Sequence, residues 1–233
     1  MSIYKANEVQ AGYADIKQPD VISLYSTCSI QGSNGWAYRT YLQHDLSGIP
    51  AGSRIISAKL CMYEHSKNEN GDLGTTNIGR VTAQWDEKTL CADNRPGYEG
   101  RYLAEDVPPP GVGNWTDWDV TPLVQEWVDG TYPNYGLMII NNNESAWRYD
   151  WTVRNRRYTE MYGEGDFATY MEIDYLTNAE AEYKITADRM ADFANEVRRL
   201  KGSAEELSPG QILSLLASIN TLDAIPNAME VGF

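Results

Sequence analysis

Residues 145–158 hold the side chains whose types and spacing best suit a chemical task. Trp147, Tyr149 and Trp151 recur at every second position, with Arg148 between them and Arg154, Arg156 and Arg157 close behind. Alternate residues of an extended chain share a face, so three flat rings fall on one side. Two readings are open: the rings pack inside a sheet, or they form a platform on which sugars lay their C–H faces. The neighbouring arginines are suited to grip a carboxylated or phosphorylated sugar through paired bonds. Tyr98, Tyr102 and Trp115 form a second aromatic group, in or beside a Pro/Gly-rich stretch at 86–114. A loop of that length is usually functional or mobile, and it is expected to rim a binding surface.

Catalysis asks for a constellation that these residues do not supply. His44 and His65 are the only imidazoles, with no nucleophile elbow and no metal-ligand spacing around them. Asp117 and Asp119 flank Trp118 and are expected to brace a helix start. A glycosidase needs two carboxylates at a set separation, which spacing along a chain does not reveal. No catalytic residue, cofactor or metal is therefore expected. The segment NENGD (68–72) places oxygens at alternate positions as a calcium loop does, but Gly79 stands where the bidentate acid belongs. An Asn-Gly hairpin turn explains it without a metal.

Bulk properties narrow the partners. A formal net charge of −14 over 233 residues repels a phosphate backbone, which argues against nucleic acid. It weighs mildly against strongly anionic polysaccharides unless basic residues cluster locally. No apolar run reaches 18 residues, so no membrane span is expected, and the first residues lack the apolar core of a secretory leader. Cys28, Cys61 and Cys91 are odd in number and share no CxxC spacing, which predicts buried free thiols and assembly in a reducing cytoplasm. The 16 Tyr and 7 Trp against 3 Phe favour surfaces that meet sugars or proteins.

The elements that must position these residues are mostly strands. Leu42, His44 and Leu46 share one face, and Ile56, Ala58, Leu60 and Met62 another, on either side of the turn SGIPAG (47–52). That pattern predicts an antiparallel hairpin with one buried face. Further strands are predicted at 80–85, 136–140, 145–153 and 169–175, separated by turns, which together describe a sandwich. A short helix is predicted after Thr121 as N-cap, with Pro122 in its first turn, Leu123, Val124, Trp127 and Val128 facing inward, and Gly130 closing it.

After residue 176 the period becomes helical. Met190, Phe193, Val197 and Leu200 form one apolar face from a Thr186 N-cap, and Ile212, Leu215, Leu216 and Ile219 form another after a capping box at Ser208 and Gln211. Two such helices cannot stand alone, so they are expected to anchor or oligomerise the chain. The predicted organisation is a mainly β chain: a jelly-roll-type antiparallel β-sandwich at 1–176 and a small α-helical hairpin with tail at 177–233.

The segments RTYLQHD (39–45), LSGIPAG (46–52), ISAKL (56–60), RVT (80–82), WDE (85–87), WDVT (118–121), VQEW (124–127) and PNYGL (133–137) occur in the order of the disaggregatase-related (DNRLRE) domain, which residues 20–176 resemble. The resemblance implies a jelly-roll sandwich of the kind attached to polysaccharide-active and cell-surface proteins, where some members act as carbohydrate-binding modules. His44 stands where that family usually has Phe. Residues 146–158 are also richer in Trp, Tyr and Arg than usual. The segments ITADRM (185–190), ANEVR (194–198), KGS (201–203), LSPGQI (207–212) and ASI (217–219) resemble a helical-hairpin segment of tailed-bacteriophage structural proteins.

Together these predict a non-enzymatic phage virion protein, a fibre, spike or capsid decoration assembled in the host cytoplasm. Its sandwich would meet host-surface, mucus or environmental polysaccharide, and its hairpin would meet other virion proteins or copies of itself, with a trimer as the model oligomer. The alternative is a purely structural virion protein with no glycan ligand. A polysaccharide-degrading enzyme, or a secreted module of one, is the third class.

Overall fold

A computed structural model of the chain describes residues 2–33, 36–68, 76–100, 102, 111–141, 144, 149–163 and 165–201. The chain divides into two units, Met1–Asn178 and Ala179–Phe233. Among the described residues the first holds ten strands: β1 (Ser2–Asp15), β2 (Thr27–Ser33), β3 (Trp36–His44), β4 (Arg54–Asn68), β5 (Thr76–Val81), β6 (Tyr98–Glu99), β7 (Trp115–Asp119), β8 (Leu137–Asn141), β9 (Tyr149–Arg154) and β10 (Tyr170–Leu176). It also holds helices α1 (Thr121–Val128) and α2 (Arg156–Tyr162), and the long helix α3 (Asn178–Lys201) begins at its end.

All strand pairings among the described residues are antiparallel, and two long strands serve both layers of a sandwich. β1 pairs with β10 through Ser2–Asn7 and with β3 from Glu8 onward. β4 pairs with β10 and β7 through its first part and with β9 from Glu64 onward. Each long strand shifts register at its change of layer, β1 between Glu8 and Gln10 and β4 between Glu64 and Ser66. A bulge bends a strand and sharpens its twist, which lets one strand turn the corner. The pairings β1–β10–β4–β9–β2–β3–β1 thus close a ring, with β7 added to β4 and β8, β5 and β6 extending from β3.

The predicted hairpin across residues 47–52 is corrected by this topology. β3 pairs with β1, β2 and β8, while β4 pairs with β10, β7 and β9, so the two are not hydrogen-bonded neighbours. The turn carries the chain from one layer to the other. Leu42 and Leu60 therefore belong to one core cluster from strands that are not hydrogen-bonded neighbours. Ile56 is 39 % exposed, and Ile55 takes the core position, because the β4–β10 register slips there.

Inside the ring lies a core of Ile30, Leu42, Leu60, Met62, Ile78, Trp118, Leu123, Leu137, Trp151 and Ile173, with other small and branched side chains. All three cysteines are unpaired and buried. A second cluster covers the other face of β3, β5 and β8, where Trp85 and Leu90 pack on Tyr41, Val81 and Met138. Hence Leu90, within the predicted 86–114 loop, lines a packed layer beside Trp85. The strand predicted at 80–85 covers only the last two residues of β5, Arg80 and Val81, and residues 82–85 lie outside it; the six residues of β5 are all buried, so alternation does not mark them.

α1 seals the main core with Leu123, Val124, Trp127 and Val128. Thr121 does not cap it; its Oγ1 instead accepts from Ala58 N at 2.8 Å, and Asp119 Oδ1 accepts from Thr121 N at 2.9 Å. Gly130 ends the helix at φ 71°, as its position predicts. α3 starts at Asn178 rather than at Thr186, because the intervening Ala, Glu and Lys are strong helix formers. The Thr186 hydroxyl donates to Glu182 O four residues back, at 2.9 Å. The second predicted helix lies outside the described residues. Among the described residues no helix is long and apolar enough to cross a membrane.

His44 carries a pH consequence. It is fully enclosed, and its Nε2 lies 3.0 Å from Thr169 Oγ1, whose own proton goes to Glu8. His44 Nε2–H is therefore the donor, and Nδ1 has no partner among the described residues. Burial pushes its pKa down to about 3, against about 6.5 in an unfolded chain. Between those values the unfolded state takes up a proton that the native state refuses, so stability falls as pH drops through that window. Urea unfolding is expected to show a loss of about 2 kcal/mol from this group between about pH 7 and pH 5. The variant His44→Phe should lack that increment.

Candidate functional site

The outer face of β4, β7 and β10 carries the candidate site. Leu60, Met62, Trp118 and Met171 point into the core, and period two sends Tyr63, Trp115 and Tyr170 outward. Register then sets them side by side. Tyr63 pairs with Trp115, and Cys61 pairs with both Tyr170 and Asp117. The Trp115 ring meets Tyr170 edge-on at 5.3 Å and Tyr63 at 5.6 Å, leaving Trp115 40 % exposed. The rings continue from Tyr63 to Phe167 at 4.5 Å, to Tyr158 at 6.0 Å and to Tyr162 at 4.6 Å.

Polar groups edge this strip. Lys5 Nζ stands 4.4 Å above the Tyr170 ring and 3.6 Å from Asp166. Lys59 pairs with Asp117 at 2.9 Å, and that bond raises the Lys59 pKa. Burial pushes the Tyr170 hydroxyl up to about 12, so it stays a neutral donor and acceptor. A cavity of about 280 Å³ lies beside Tyr170, lined by Lys5, Asn7, Glu8, Arg156, Asp166 and Thr169 among others. Flat rings bordered by hydrogen-bonding groups match a sugar, whose C–H faces are apolar and whose rim is hydroxyl. Among the described residues no three His, Cys, Asp or Glu side chains group to hold a metal.

The sequence-predicted residues divide sharply. Trp115 lies in the strip, and Arg154 lies over it, with its guanidinium 3.9 Å from the Tyr158 ring, 4.3 Å from Phe167 and 4.7 Å from Tyr63. Trp151 is a correction: it is 0 % exposed and meets Trp118 edge-on at 5.5 Å, so its ring serves the core and offers no face to a ligand. Tyr149 lies opposite Gly32 in β9, while Trp147 and Arg148 fall outside the described residues. Tyr98 is 37 % exposed on the short β6, and its ring fills the space above Gly79. Tyr102 is half-buried; it donates to Glu126 at 2.7 Å and accepts from Arg80 at 3.4 Å. These two tyrosines have no ring contact with the Trp115 strip among the described residues.

Arg156 is engaged elsewhere. It pairs with the carboxylates of Glu87, Glu160 and the enclosed Glu8, while Arg157 meets Glu87 at 2.6 Å and donates to Ala11 O at 2.9 Å. Burial raises the Glu8 pKa, opposed by bonds from Thr169 and Arg156. This network docks α2 on β1. The helix itself is legible in hindsight from its ends: Asn155 caps Arg157 N at 3.0 Å, and Gly163 closes it at φ 66°. Met190 and Phe193 are half-buried on α3, which also contains Val197 and Leu200. Ile212, Leu215, Leu216 and Ile219 fall outside the described residues, as does most of the 68–72 segment.

Tyr63, Tyr158, Phe167 and Tyr170 were not anticipated. Alternation already placed Tyr63 and Tyr170 opposite the core residues of their strands. What joins them is that β4 and β10 are neighbours.

The fold is thus an antiparallel β-sandwich with a braced aromatic strip on one outer face. The chain belongs to carbohydrate-binding module family 96, whose sequence profile matches residues 23–162, more than half of its length. No curated protein matches the chain.

Proposed function

We propose that the Trp115 strip is the glycan-binding surface of this module, and that the module is carried on a phage virion as a fibre, spike or capsid decoration. The observation that carries the binding role is Trp115 itself, an exposed indole on the added strand β7, held in place by Tyr63 and Tyr170. The family supports the ligand class. The likeness of 185–219 to phage hairpin segments supports the setting, and many copies on a particle would raise a weak grip by avidity.

A glycan array probed with the intact chain tests the binding role. Trp115→Ala is expected to weaken retained glycans roughly ten- to hundredfold, the value of burying one large apolar side chain. Unchanged binding by that variant overturns the assignment of the strip, and a wild-type chain that retains no glycan favours the purely structural reading. Deletion of residues 179–233 is expected to abolish incorporation into particles, and normal assembly of the truncated chain would defeat the anchoring role.

A further inference from the structure

His65 sits at the register slip where β4 changes layers, between Glu64, opposite Val153, and Ser66, opposite Thr152. The slip turns its ring toward the end of β9, where Arg154 Nε–H donates to His65 Nδ1 at 3.3 Å. An imidazole that accepts at Nδ1 is neutral, with its proton on Nε2. The same guanidinium carbon lies between 3.9 and 4.7 Å from the ring centroids of Tyr158, Phe167 and Tyr63. Those are the ring faces on which a sugar would stack. Arg154 makes no ion pair among the described residues, so the cation–π contacts and the His65 bond are what the described residues show holding it.

We propose that His65 and Arg154 form a proton-operated cover over half of the aromatic strip, closed when His65 is neutral and released when it is protonated. The inference rests on the binding role proposed for the strip. A proton at Nδ1 removes the acceptor of the Arg154 bond and sets two cations against each other. Among the described residues, the side chains shown against the His65 ring, Arg154 and Tyr158, carry no negative charge. β9 contributes Arg154, α2 contributes Tyr158 with its ring 5.5 Å away, and β4 itself contributes Tyr63 and Lys67. Glu64 is turned to the interior and accepts from Gly111 N at 3.0 Å. Burial, then the charge of Arg154, lowers the His65 pKa below its usual value, so release belongs to mildly acidic conditions. The guanidinium leaves, the faces of Tyr63, Tyr158 and Phe167 open, and the strip lengthens beyond Trp115.

The test follows tyrosine exposure without any ligand, using photo-excited flavin to polarise accessible rings in the NMR spectrum of the full chain. Signals from Tyr63 and Tyr158 are expected to rise several-fold from about pH 7 to about pH 5, the range in which histidines titrate. Their midpoint should coincide with the titration of the His65 ring. His65→Gln, whose amide oxygen can still accept from Arg154, should show no rise, and Arg154→Met should show open rings at both pH values. On a glycan array, wild type should bind roughly three- to tenfold more tightly at the lower pH, and His65→Gln equally at both. Ring signals that ignore the His65 titration overturn the cover. Rings that open while array affinity stays constant overturn its link to binding. A chain that retains no glycan but opens its rings keeps the cover and removes only the binding role.

Discussion

Trp151→Ala is expected to destabilise the sandwich by about 4 kcal/mol, within the range for removing a buried large aromatic from a packed core. Trp151 is enclosed on every side. It stands in β9 between β2, where it pairs with Ile30, and the second part of β4, where it pairs with Lys67. Its edge-to-face contact with Trp118 joins β9 to β7 through the core, although these strands lie in different layers. The truncation therefore leaves a cavity at the junction of the layers, which the ring of strands keeps from collapsing. Urea unfolding followed by tryptophan fluorescence and by circular dichroism checks the value. A loss below about 1 kcal/mol would mean that the core closes over the gap and that Trp151 is not its keystone. Trp151→Phe, which keeps a ring for Trp118 to meet, should lose appreciably less.

Glu87→Ala is expected to cost roughly 3–5 kcal/mol, the range for breaking a buried ionic network by removing one partner. Glu87 accepts from Ala11 N at 3.1 Å and faces both Arg156 and Arg157, with its side chain only 10 % exposed. Without it, among the described residues, Arg157 keeps only the carbonyl of Ala11, and Arg156 keeps Glu8 and the exposed Glu160. Part of the loss should be local. Amide exchange in α2 is expected to rise more than exchange in β4 or β10, because the network is what docks α2 on β1. Since Tyr158 lies on α2 and meets Phe167 and Arg154, loosening the helix should also weaken binding on that half of the strip. Uniform exchange across the sandwich would show that the network supports the whole fold rather than the helix.

These two sites show where reading by pattern runs out. Alternation placed Trp147, Tyr149 and Trp151 on one face, but it does not say whether that face is inward or outward. Trp151 faces inward because β9 lies between β2 and β4 over the shared core. The arginines beside it looked alike in the chain. Arg156 is consumed by Glu8 and Glu87, which are 148 and 69 residues away along the chain, while Arg154 is left to the aromatic rings. Alternation does not mark β1, because a strand that serves two layers reverses its buried parity at the bulge and its pattern reads as irregular.

Local information was enough for several other features. The mainly antiparallel β body, the inward row of α1, the stop at Gly130 and the buried thiols all follow from spacing, turn chemistry and hydropathy, which act over a few residues. The partner of each strand does not. The same period of two on both sides of the 47–52 turn is satisfied by a hairpin or by a passage between layers, and only the packing of the whole core chooses between them. The strip exists because β4 lies between β7 and β10, which brings Tyr63, Trp115 and Tyr170 together from three distant stretches of chain. Adjacency of that kind is a property of the closed ring of strands, and no short segment contains it.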